Sequence, residues 1–65
     1  MINFKIPKNL DGAVLIQELN NAGVEVPINP AYGVACPTIW EGELWLNIKE
    51  NDKTTAQTVI DAHNG

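Results

Sequence analysis

Trp40-Glu-Gly-Glu-Leu-Trp45 decides how this chain is read, because Glu41-Gly42 is a two-residue turn between two short runs of strand-forming residues. Closing that turn sets Ile39 opposite Leu44 and Thr38 opposite Trp45. Side chains alternate along a strand, so Ile39, Leu44, Leu46 and Ile48 gather on one face and Trp40, Glu43, Trp45 and Asn47 on the other. Both tryptophans of the chain are therefore expected to point away from its aliphatic layer. A slip of one residue would exchange the two faces, so the turn sets which face each side chain takes.

Outward from the hairpin, the pattern changes period twice. Ile2, Phe4 and Ile6 alternate with Asn3 and Lys5, which predicts a half-buried first strand stopped by Pro7. From about Asp11 to Ala22, the residues Ala13, Val14, Leu15, Ile16 and Leu19 cluster at helical spacing. Asp11 or Asn9 is placed to cap the free N–H groups, and Gly23 to close the far end. Val24 to Val26 reads as a short second strand, Ile28 to Gly33 as an irregular connection, and Val34 to Cys36 as an extension of the third strand limited by Pro37. Thr54-Thr-Ala-Gln57 matches a capping box. Ala56, Val59, Ile60 and His63 follow at i, i+3, i+4 and i+7, so a second helix is expected to run to about His63.

That succession predicts an α+β domain in two layers, a small mixed or antiparallel sheet in β-α-β-β-β-α order with both helices on one face. With 65 residues there is room for one core only. A hydrophobic content of 45% against 18% charged residues belongs to a folding chain, not to a solvating segment.

Charge and residue usage exclude several functions. Four lysines against eight carboxylates give a net charge of -4, and the chain has no arginine, so the forked cations that read phosphates and bases are missing and nucleic acid is not expected as a ligand. One cysteine, Cys36, leaves no internal disulfide, which fits a reducing compartment. No apolar run approaches a signal peptide or the roughly 20 residues that span a bilayer, so the expected location is the cytosol where the chain is made, without membrane attachment.

Catalytic signatures are equally thin. The chain has no serine, and thiol chemistry would require Cys36 to meet His63 across the fold. No basic residue beside Cys36 would activate it, and plain packing accounts for it better. His63, ending an apolar stripe, reads as a packed ring with a wet edge or as a cap on the last carbonyls. Asp61 and His63 do not share a helix face, and Glu50-Asn-Asp52 has neither the length nor the glycine of a calcium loop. The expectation is no enzyme, no metal and no cofactor.

The C-terminal stretch Thr54-Thr-Ala-Gln-Thr-Val-Ile-Asp-Ala-His-Asn-Gly65 resembles the ending of many small bacteriophage-encoded proteins of uncharacterised function, in which a short helix finishes in Ala-His, then Asn or Asp, then Gly or Pro. The resemblance covers about a fifth of the chain and brings no functional residue with it. What it implies is a phage gene product, either a small virion component or an accessory factor.

The expected activity is thus protein binding. If both helices cover one side of the sheet, the other side carries Trp40, Trp45, Asn47 and Lys5, with Tyr32 on the neighbouring connection, and those five residues form the expected interface. The partner is a protein or a second copy of the chain, with a homo-oligomer or larger assembly as one outcome. An acidic inhibitor of a host protein is the second reading, and a thiol enzyme a distant third.

Overall fold

A computed structural model describes residues 2–28, 30 and 33–64. Strand β1 (Ile2–Phe4) leads to helix α1 (Gly12–Asn21), then to strands β2 (Thr38–Trp40) and β3 (Glu43–Leu46), a single 3-10 turn at Glu50–Asp52 and helix α2 (Lys53–Ala62). The strands make one antiparallel sheet in the order β1-β3-β2. The fold is α+β with a small sheet, as the sequence predicts.

The hairpin forms in the expected register, with Thr38 opposite Trp45, Ile39 opposite Leu44 and Trp40 opposite Glu43. Glu41 (φ 51°) and Gly42 (φ 75°) both take positive φ, the pair of conformations that a two-residue type I′ hairpin demands. On the other side of β3, Ile2 pairs with Leu46, Asn3 with Trp45 and Phe4 with Leu44.

One face of this sheet makes the core. Phe4, Leu44 and Leu46 are buried with Leu15, Ile16 and Leu19 of α1, Ala56 and Ile60 of α2, and Val24. Both helices therefore sit on the aliphatic side. Ile39 shares the row of Leu44 and Phe4 but remains 51% exposed, and β2 contributes nothing to the buried cluster, whereas the opposite edge strand β1 contributes Phe4.

One predicted strand and one predicted strand extension are absent, each for a local reason. Val24 to Val26 is coil, and Val24 is buried as the residue that follows a Schellman closure of α1. Gly23, at φ 87°, sends its N–H to the Asn20 carbonyl, and the Val24 N–H reaches the Leu19 carbonyl at 2.9 Å. In such a motif an apolar residue after the glycine packs back on the last helical turn, so its hydrophobicity serves a helix end and not a strand. Of Val34 to Cys36, only Val34 forms an isolated bridge. Pro37 instead packs against the start of α1, its Cδ 3.4 Å from where a Cβ at Gly12 would stand.

The helix starts differ from expectation at one end only. Asp11 caps α1, its Oδ1 accepting from the Ala13 and Val14 N–H groups. The Thr54–Gln57 capping box does not form: the 3-10 turn runs directly into α2, the Lys53 N–H bonding the Glu50 carbonyl, so helical bonding begins before Thr54. Thr54 lends its carbonyl to the Thr58 hydroxyl, and the Gln57 amide donates to Asp61 at 2.8 Å.

Candidate interaction face

The sheet face opposite the helices is built by the row Asn3, Trp45, Thr38 and the adjoining pair Trp40 and Glu43. Its tryptophans are in contact, with ring centroids 6.2 Å apart and planes inclined by 58°. The Trp45 Nε1–H donates to the Trp40 carbonyl at 3.3 Å, so that indole N–H is used inside the hairpin. Trp45 is partly buried, whereas Trp40 is 60% exposed, the second most exposed of the large apolar side chains described after Ile28.

Two carboxylates border the pair. Glu43 accepts a hydrogen bond from the Asn3 amide across β3 and β1, and Glu41 is exposed at the turn. Neither has a cationic partner among the described residues. The aromatic pair therefore lies in a locally negative setting within an acidic chain.

The expected interface residues divide. Trp40 and Trp45 come together on the outer face, and Asn47 is exposed just past β3. Lys5 lies past the end of β1, where it lines a cavity of about 350 Å³ with Ile6, Pro7, Lys8, Ile60 and Asp61. Tyr32 falls outside the described residues.

A second constellation was not legible in the sequence. The His63 ring is buried between the helices: its Nε2 accepts the Asp11 backbone N–H at 3.0 Å, and its Nδ1 lies 2.5 Å from Glu18 Oε1. Accepting at Nε2 places the proton on Nδ1, which donates to the carboxylate. This corrects the expectation of a wet ring edge or a carbonyl cap. Both nitrogens are occupied, so the ring has no lone pair to offer Cys36, which is free and partly buried. The arrangement ties the end of α2 to the N-cap and middle of α1.

Among the described residues no three His, Cys, Asp or Glu side chains converge to hold a metal ion, and no helix is long and apolar enough to cross a membrane. The chain matches no protein-family model, no curated protein and no solved structure.

Proposed function

We propose that this chain is a non-catalytic interaction module that docks onto another protein through the outer face of its sheet, centred on Trp40 and Trp45. The observation that supports it is the 60% exposure of Trp40 in a domain whose helices are both committed to the opposite face. Leaving a large indole in water forgoes about 1.5–3 kcal/mol of burial, which a partner can recover on docking. On the resemblance of its C-terminal ending to phage-encoded chains, we take the partner to be a virion subunit or a protein served by a phage accessory factor.

The test compares the native chain with Trp40→Thr, which keeps strand propensity, and with the double change Trp40→Thr and Trp45→Thr. Affinity capture from cells that express each form, quantified by mass spectrometry, should recover one protein in stoichiometric amount with the native chain and lose it with folded Trp40→Thr. Equal recovery with both forms overturns the docking face. If the partner is structural, the chain is found in purified particles in fixed ratio to it.

A further inference from the structure

We propose that the Trp40–Trp45 face recognises a cationic side chain, an arginine or lysine presented by a basic segment of the partner. This deepens the docking function above and rests on it.

Three features carry the inference together. The indoles are in tilted contact, planes inclined by 58° and centroids 6.2 Å apart, with Trp40 60% exposed, and a cation within about 6 Å of an aromatic centroid is attracted to the ring face. The Trp45 N–H is held by the Trp40 carbonyl, which fixes the tilt of the pair and takes up one of its two indole donors. Glu43 stands directly across from Trp40 in the ladder and Glu41 follows it at the turn, both without a counter-ion among the described residues. An aromatic surface edged by carboxylates that lack a cationic partner suits a guanidinium, which stacks flat on indole while its N–H groups reach carboxylate oxygens.

The same charges disfavour a second copy as occupant. A two-fold dimer through this face would bring Glu41 and Glu43 of both copies together, in a chain whose net charge is already -4. A positively charged partner is drawn in by the field that a second copy would oppose.

The turn adds a supporting detail. Glu41 holds φ 51°, a conformation for which Asn, Asp or Gly is far better suited, yet it carries a longer acidic side chain beside Trp40.

The experiment titrates the native protein with acetyl-Gly-Arg-Gly-amide and with the citrulline analogue, which keeps the shape and removes the charge, while the two indole N–H resonances are followed by NMR. The arginine peptide should shift both resonances saturably, and the citrulline peptide should bind at least about three-fold more weakly. The double change E41Q and E43Q, with hairpin resonances otherwise unmoved, should weaken arginine binding by a further three- to five-fold or so. Equal binding of the two peptides, or no shift with arginine, overturns cation recognition. If arginine recognition fails while Trp40→Thr still abolishes partner capture, the docking function stands and only the cationic occupant is rejected. If Trp40→Thr leaves capture intact, the docking function itself falls.

Discussion

His63 and Glu18, 45 residues apart in the chain, meet between the two helices with Nδ1 2.5 Å from Oε1. Because the other ring nitrogen accepts the Asp11 N–H, one side chain joins the end of α2 to both the cap and the second turn of α1. Replacing His63 by Ala removes a buried ring and two hydrogen bonds and strands the Asp11 donor, a loss of about 2–4 kcal/mol. Glu18→Gln should cost less than about 1 kcal/mol, since the carboxylate is 41% exposed and an amide oxygen still accepts from Nδ1–H. Urea unfolding of both variants checks the contrast. An unchanged midpoint for His63→Ala would mean that the bridge contributes nothing.

Helix capping supplies a second contrast. Asp11 accepts from two N–H groups at the start of α1, so Asp11→Ala should lose about 1 kcal/mol. Thr54 looks like an equally good cap in the sequence, but its hydroxyl caps nothing there. Thr54→Ala should therefore change stability by no more than about 0.5 kcal/mol. Thermal unfolding of the pair measures this, and similar losses at both sites would restore the capping box.

Glu41 predicts a gain. Its φ of 51° is unfavourable for a residue with a Cβ and long side chain, and Asn at the first position of a type I′ turn relieves it. Glu41→Asn should stabilise the fold by about 0.5–1 kcal/mol, read as a higher urea midpoint at unchanged slope. A loss instead would show that the carboxylate has a structural role at the turn.

What the sequence made legible follows from how local each signal is. The hairpin register was readable because Glu41-Gly42 and period-two alternation both lie within nine residues and agree. The division of faces came with it. Val24 misled because an apolar residue after a helix-closing glycine looks like the first residue of a strand, and only the hydrogen bond to the Leu19 carbonyl separates the two. Thr54 misled because a capping box requires the chain before it to be non-helical, whereas the turn at Glu50–Asp52 already bonds into α2. His63 was placed on the buried stripe of its helix by spacing, but its partners lie 45 and 52 residues away, beyond any local pattern. At the outer face, the presence of both indoles was foreseeable; the bond between Trp45 and the Trp40 carbonyl depended on their relative tilt.

That bond makes the two tryptophans unequal, and the inequality is measurable. Trp40→Thr removes an indole that is already 60% exposed and keeps the backbone carbonyl that receives the Trp45 N–H, so it should cost no more than about 1 kcal/mol. Trp45→Thr removes a partly buried ring from the middle of the sheet, between Asn3 and Thr38, and its internal hydrogen bond as well; about 1.5–3 kcal/mol should be lost. Either change should abolish the far-ultraviolet exciton signal expected of two indoles 6.2 Å apart. The order of the two unfolding midpoints is the decisive reading. An indole that serves a partner can be removed from the free protein at little cost, whereas one that serves the fold cannot. If Trp40→Thr proved the more damaging change, Trp40 would be stabilising the hairpin, and its exposure would no longer argue for docking.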